Sequence, residues 1–310
     1  MNHPTRRQFI QSSLIVASWS VMPFAIGASL NKALLSFSTL GCPDWDFKQV
    51  VDFASTHDYQ GIELRGIKRQ LDFLQCEEFK TPENRKATVQ MMKDKGLKFV
   101  DLGSSANLHF PEGPERTKNL DEARRFIDLA QEIECPFIRV FPNDFLKESE
   151  KNATMDLMAK GLLALAQYAE GSNVSVLIES HGDLVHTDDL EKVLKAAEHK
   201  HAGMVWDIVN MWSVTKEPVG QVFERLRKYI RHIHIKDAKV SGSNVQYVFL
   251  GRGDGPIFEA IDLLAKSNYQ GYFSFEWEKM WHPELPSSEL ALADYSQVMR
   301  KHLADLRLSH

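Results

Sequence analysis

The sequence predicts a single-domain (β/α)8 barrel, the TIM-barrel architecture. Between residues 34 and 306, eight strand-like segments alternate with eight helix-like segments, and no low-complexity linker interrupts them. With 310 residues and 43% hydrophobic content, the chain can build one large core. An open doubly wound sheet is the alternative. It is disfavoured because no GxGxxG run follows the first strand, and the glycine-rich run at 251–255 comes only after the seventh.

The predicted strands are short apolar runs, several of them β-branched, that end at turns or polar residues. They cover residues 34–40, 61–65, 97–102, 137–141, 174–179, 203–207, 230–235 and 271–277. The predicted helices have amphipathic spacing, and Thr81 and Thr187 are suitable N-caps for two of them. These helices cover residues 47–54, 82–95, 120–133, 154–169, 187–198, 219–228, 256–267 and 288–306. The stretch between the seventh strand and residue 256 is predicted as a polar loop.

The first 28 residues are predicted to be a targeting segment, so that the barrel domain covers 29–310. Residues 5–11, Thr-Arg-Arg-Gln-Phe-Ile-Gln, resemble the twin-arginine export motif, and the uncharged stretch after them ends at the small residue Ala28. A membrane anchor or a disordered tail is the alternative, but the stretch is short and broken by Ser, Trp and Pro. We therefore expect a periplasmic or secreted protein with no stable membrane span in the mature chain.

Composition limits the partners of this chain. The formal net charge is −5, so no basic excess is available to meet nucleic-acid phosphates. Three scattered cysteines, Cys42, Cys76 and Cys135, give neither a disulfide framework nor a CxxC metal site. We expect a small-molecule substrate and no nucleic acid, and the sequence leaves a homo-oligomer open.

The last four predicted strands each end in Glu, Asp or His residues, which are types of side chain that commonly bind metal ions. In a (β/α)8 barrel the active site lies at the carboxyl ends of the strands. Carboxylates gathered there would repel one another, and a divalent cation would relieve that repulsion; mixed oxygen and imidazole ligands suit Mn, Mg, Co or Zn. Spacing alone does not decide between Glu276 and Glu278 as the ligand from the last strand. The inward-facing residues of these strand ends are Glu179, His181, Asp207, His232, His234, Lys236, Ser274, Glu276 and Glu278.

The earlier strands also carry polar residues that face inward. Glu63, Asp101 and Arg139 are expected to form a buried network inside the barrel, and Arg65 lies nearer its mouth. His232 is expected to pack in the barrel interior rather than to bind metal.

The ordered motifs resemble the xylose-isomerase-like TIM-barrel superfamily of sugar phosphate isomerases and epimerases, over residues 34 to 305. The motifs are Ile-Glu-Ser-His at 178–181, Trp-Asp-Ile-Val-Asn at 206–210, His-Ile-His-Ile-Lys-Asp at 232–237, Leu-Gly-Arg-Gly-Asp at 250–254 and Phe-Glu-Trp-Glu at 275–278. By this resemblance the metal ligands would be Glu179, Asp207, His234 and Glu276. Many relatives carry a His three residues after the Asp, whereas this chain has Asn210, which cannot act as an acid or base.

The resemblance implies a divalent-metal-dependent isomerase or epimerase that acts on a sugar or keto-sugar. Glu179 and Glu276 would be the catalytic residues and would exchange a proton on a substrate carbon through an enediolate. His181 and Lys236 would hold hydroxyls or stabilise the enediolate, and the substrate site would be completed by Asn210, Arg65 and Glu278. Three alternatives remain open: an exported keto-glycoside lyase that uses the same site, an AP-endonuclease-like metallohydrolase, and a non-catalytic sugar-binding module.

Overall fold

The computed structural model describes residues 33–147, 150–242 and 244–308. Within these residues the strands β1 to β10 are Leu34–Ser38, Gly61–Leu64, Lys98–Asn107, Phe137–Phe141, Ser175–Glu179, Ala202–Asp207, Ile230–Ile235, Asp237–Ser241, Asn244–Val248 and Tyr272–Phe275. The helices α1 to α9 are Phe47–Thr56, Pro82–Asp94, Pro114–Glu132, Lys151–Tyr168, Thr187–Ala196, Ile208–Thr215, Val219–Leu226, Ile257–Lys266 and Ser288–Leu308. The predicted export segment, residues 1–28, lies outside the described part.

Eight parallel strands close into a barrel, which confirms the predicted fold class. The order around the barrel is β1-β10-β7-β6-β5-β4-β3-β2. Each strand places alternate side chains inside the barrel and under the helices. On β6, for example, Trp206 packs against Phe223 of α7 while Asp207 faces the barrel interior. This alternation gathers the polar strand-end residues at one rim.

Local signals in the sequence explain where several helices begin. Asp46 accepts a hydrogen bond from the backbone of Gln49, and the Gln49 side chain accepts one from the backbone of Asp46, so that a capping box starts α1. Thr81 caps α2, whose first residue is Pro82. None of the described helices combines the length and the apolar character that a membrane span requires.

The structure corrects the prediction between the seventh and eighth barrel strands. This stretch was expected to be a polar loop, but β8 and β9 form an antiparallel hairpin in it. The glycine-rich run that follows wraps around Asp237, whose Oδ2 accepts hydrogen bonds from the backbone of Gly251 and of Gly253 at 2.8 and 2.9 Å. A Cβ on Gly253 would lie 2.0 Å from Asp237 Oδ1, so only glycine fits there. Two backbone N–H groups of the run are therefore used to hold it against Asp237 at the start of the hairpin.

Two helices also differ from the prediction. α6, Ile208–Thr215, follows β6 directly and was not predicted. Asp207 is its N-cap, and its Oδ1 accepts a hydrogen bond from the backbone of Asn210 at 2.8 Å. α3 begins at Pro114, well before the predicted residue 120, since Pro114 is a favourable first helical residue.

Candidate metal centre and active site

Four buried side chains meet at the carboxyl-end rim of the barrel. Glu179 ends β5, Asp207 ends β6, His234 lies on β7 and Glu276 follows β10. One ligand atom of each lies within 4.8 Å of all the others. Their strands are consecutive around the barrel, and β6 and β7 pair Asp207 with His234 directly. The structure thus brings together the four residues that the sequence analysis named as metal ligands.

His234 lies at the centre of this group. Its Nδ1 is 3.4 Å from Glu179 Oε1, 3.3 Å from Glu276 Oε2 and 3.8 Å from Asp207 Oδ2. Burial lowers the pKa of His234, but the carboxylates around it outweigh burial and raise that pKa well above its usual value. A proton on His234 therefore balances part of the negative charge. Three carboxylates and one imidazole nitrogen are a ligand set that fits a divalent ion, which would take the place of that proton.

Glu63 on β2 holds the other side of the His234 ring. Its Oε1 lies 3.2 Å from His234 Nε2, while its Oε2 lies 2.9 Å from His232 Nε2 and accepts a hydrogen bond from Ser274 at 2.8 Å. Burial raises the pKa of Glu63, but His234 and His232 more than offset it, so the group stays ionised. A carboxylate facing Nε2 leaves Nδ1 free to bind metal. Glu63, His232 and His234 also form a possible ligand trio, so that His234 belongs to both groups.

We expect Glu63→Gln to weaken divalent-metal affinity about 10- to 100-fold, because the neutral amide orients the His234 ring less strongly. Isothermal titration of the folded variant with Mn²⁺ measures this. Glu224→Gln is the matched control, since the Glu224 side chain is 63% exposed on the surface. Equal affinities for Glu63→Gln and the unaltered protein would contradict this role.

Lys236 and Glu278 lie beside the four residues. Lys236 Nζ donates to Glu276 Oε2 at 2.7 Å and to Glu278 Oε1 at 2.6 Å, and it lies 2.8 Å from Asp207 Oδ2. Burial raises the pKa of Glu276, but His234 and Lys236 overcome this and hold it well below its usual range. In Glu278 burial prevails over Lys236, and its pKa is raised. Glu276, the deeper of the two acids, belongs to the four-residue group, and Glu278 does not.

Arg139 on β4 pairs with Glu179. Arg139 Nε lies 3.1 Å from Glu179 Oε2, and the guanidinium stacks 3.7 Å from the centre of the Phe141 ring. Burial alone would raise the pKa of Glu179, but Arg139 and then His234 keep it below the usual value. Glu179 and Glu276 therefore each have a cation of their own, Arg139 and Lys236.

A cavity of about 390 Å³ opens above the centre. All five residues assigned to substrate binding from the sequence line it: Arg65, His181, Asn210, Lys236 and Glu278. Asn210 is held in place by a hydrogen bond from its side chain to the Ser180 carbonyl at 3.4 Å.

Three other cavity-lining residues were not identified from the sequence: Asn107, Asn143 and Tyr247. Tyr247 lies on β9, within the stretch predicted as a loop. The β-branched and aromatic residues Val245, Tyr247 and Val248 are the signal that could have identified this strand.

Asp101 on β3 lies inside the barrel, fully buried. Neither of its carboxylate oxygens has a hydrogen-bond partner within the described ranges. Burial, and then the charge of Glu63, raises its pKa to about 7. Because this folded-state pKa exceeds the unfolded value of about 4, the folded chain holds an extra proton between these pH values. Stability therefore falls as the pH rises through this window.

We expect Asp101→Asn to remove that dependence and to raise the free energy of unfolding at pH 8 by about 2 kcal/mol. Urea unfolding at pH 5 and pH 8 measures it, with the exposed Asp305→Asn as the control. A variant that is less stable than the unaltered protein at pH 8 would show that Asp101 has a charged partner in the fold.

Comparison with known proteins gives one family. The family model described as "Xylose isomerase-like TIM barrel" matches residues 51–302. A 3-dehydroshikimate dehydratase of Bacillus anthracis is 26% identical over 231 residues, 69% of this chain and 78% of that protein. A fructoselysine 3-epimerase of Shigella flexneri is 23% identical over 187 residues, 59% of this chain and 67% of that protein. By their names, these relatives are a dehydratase and an epimerase.

Among solved structures, the IOLI protein with a bound zinc atom superposes with a TM-score of 0.72. The match has 15% sequence identity and covers 88% of this chain and 97% of that chain. At this identity the likeness supports the barrel fold alone.

Proposed function

We propose that this chain, which belongs to the xylose isomerase-like TIM-barrel family, is a divalent-metal-dependent isomerase or epimerase of a sugar or keto-sugar. One observation carries the proposal: two buried glutamates, from β5 and from the end of β10, both lie close to His234 Nδ1, at 3.4 and 3.3 Å. Each has its own cationic partner, so both are held ionised. Binding alone needs no such pair of bases, which speaks against a non-catalytic sugar-binding module.

The ion would be held by Glu179, Asp207, His234 and Glu276. When bound, it would act as a Lewis acid on a carbonyl oxygen and so acidify the neighbouring C–H group. One of Glu179 and Glu276 removes the proton from that carbon, and the other returns a proton. Lys236, which contacts Glu276, Glu278 and Asp207, would stabilise the enediolate through its positive charge. Asn210 can hold a substrate hydroxyl but takes no part in proton transfer.

Elimination is the second candidate reaction, and Glu278 favours it. Its raised pKa makes it an acid that could protonate a leaving group at the β-carbon after the first proton is removed. A relative named as a dehydratase supports the same possibility. Elimination and epimerisation share the first step, the loss of a proton beside a carbonyl.

The test is incubation of the Mn²⁺-loaded chain with aldoses, ketoses and keto-glycosides in deuterated water. Deuterium incorporated at a carbon beside the carbonyl, with the sugar otherwise intact, supports the isomerase or epimerase. Release of the β-substituent with formation of an unsaturated ketone supports the lyase. Metal binding with neither exchange nor release on any substrate in the panel would contradict the proposed reaction.

We further propose that the enzyme acts outside the cytoplasm, because residues 5–11 resemble a twin-arginine motif. Free sugars or keto-glycosides are then better suited as substrates than sugar phosphates. Fractionation of cells that express the full chain, compared with an Arg6→Lys, Arg7→Lys double variant, tests this location. Equal distribution of the two proteins would contradict export by this route.

A further inference from the structure

The two halves of the barrel rim differ in charge. The four candidate metal ligands come from β5, β6, β7 and the end of β10, which are neighbours around the barrel. The other half supplies Arg65, immediately after β2, and Arg139, on β4, with Ser105 and Asn107 on β3 between them. All four of these residues line the same cavity. A substrate in this cavity therefore meets an acidic metal site on one side and two guanidinium groups on the other.

These two arginines differ in their partners. Arg139 is paired with Glu179 and also donates to the Ser104 carbonyl from Nη1 at 2.9 Å. Arg65 is 5% exposed, and its Nη2 donates only to the Ser105 hydroxyl, at 3.2 Å. Its Nη1 is buried and has no hydrogen-bond partner within the part of the chain that the structure describes. No ion pair connects Arg65 to any carboxylate among those residues.

A buried guanidinium that no carboxylate contacts directly carries a desolvation cost, and a ligand that supplies a contacting carboxylate would offset it. Burial, and then the charge of Arg139, lowers the pKa of Arg65 to about 10 against the opposing charges of Glu179, Glu276 and Glu122, and this value is still well above neutrality. The group therefore stays positively charged at the mouth of the site, with one donor nitrogen unused.

Gly103 on β3 makes room for this arrangement. A Cβ at that position would lie 2.7 Å from Arg65 Cδ and 2.9 Å from Arg139 Nη2. Any side chain on Gly103 would therefore push one or both arginines out of place. The absence of a side chain lets the two guanidinium groups lie side by side across β3 and face the cavity.

We propose that the substrate carries a carboxylate, which Arg65 binds while the carbonyl end of the same molecule faces Glu179 and Glu276. The substrate class is then a sugar acid or a keto acid with several hydroxyls. This inference rests on the proposed function, because it places the reacting carbon at those two glutamates. One planar guanidinium matches one carboxylate. A phosphate dianion would require a second free cation, and Arg139 is already paired with Glu179.

The test compares the binding of matched ligands to the Mn²⁺-loaded full chain by isothermal titration. The pairs are D-glucuronate with D-glucose and D-galacturonate with D-galactose, and D-glucose 6-phosphate is added as the phosphate probe. We expect each acid to bind at least about tenfold more tightly than its neutral partner. We expect Arg65→Met to abolish this preference and Arg65→Lys to retain part of it. Arg65→Met should still bind Mn²⁺, which also shows that the variant is folded.

Arg227→Met is the matched control, because the Arg227 side chain is 60% exposed after α7. A preference for acids that survives in Arg65→Met would assign the carboxylate to the metal and overturn the proposal. Binding of the phosphate probe alone, or of neither acid, would overturn it as well. Failure of the proposed function would give a different result: the acids would bind through Arg65, but no deuterium would be incorporated. Deuterium exchange on neutral sugars alone would support the proposed function and contradict the proposal that the substrate carries a carboxylate.

Discussion

Replacing Glu276 by glutamine is expected to lower the rate of carbon–proton exchange about 10³-fold. Glutamine has the same shape and keeps an oxygen for the metal, but it can neither accept nor return a proton at neutral pH. The loss should fall on kcat, with KM changed little, because the interaction acts in the transition state. Deuterium incorporation into the best substrate of the panel, with metal content measured in the same sample, tests this.

Two further variants sharpen this experiment. Glu179→Gln should have a loss of the same order, because the second glutamate completes the proton transfer. Glu224→Gln, on the exposed surface of α7, should exchange as fast as the unaltered protein. An activity within threefold of normal in metal-loaded Glu276→Gln would mean that Glu276 does not transfer the proton.

Removal of the metal is expected to abolish exchange completely and to lower stability. The three carboxylates around His234 Nδ1 would then be balanced only by protons and by Lys236 and Arg139. At 1,000 times the dissociation constant, an ion should raise the free energy of unfolding by about 4 kcal/mol. Binding should also release about one proton near pH 7, because the raised pKa of His234 keeps it protonated until the ion displaces that proton.

Chelation followed by dialysis, and then addition of Mn²⁺, measures all three effects. Activity and melting temperature should both return with the metal, and titration in two buffers of different ionisation enthalpy gives the proton count. An Asp207→Asn variant should bind the ion more weakly and recover less activity. Full exchange activity in the presence of a chelator, with no metal left in the protein, would contradict the mechanism.

The fold and the grouping of the four candidate ligands could be predicted because each depends on local patterns. Alternation of strands and helices identifies the barrel, and period-two spacing within a strand places His234 and Glu276 inside it. Once the barrel is known, the carboxyl ends of consecutive strands must lie side by side. The sequence therefore contains enough information to bring Glu179 and Asp207 together.

Other features depend on contacts between distant segments, which spacing along the chain cannot reveal. Glu63 reaches His234 from the far side of the ring only because the barrel closes between β1 and β10. Gly103 has no functional chemistry of its own, and its importance appears only when Arg65 and Arg139 lie across it. Membership of Glu276 rather than Glu278 in the four-residue group likewise depends on distances between side chains of different strands.

The central claim is that a single divalent ion is shared by four side chains from consecutive strands. Anomalous diffraction at the zinc edge, from a crystal of the Zn²⁺-loaded protein, tests it most directly. We predict one strong peak with an oxygen of Glu179, Asp207 and Glu276 and Nδ1 of His234 about 2.0–2.2 Å away. A peak bound instead by Glu63, His232 and His234, or no peak in the barrel, would contradict the claim.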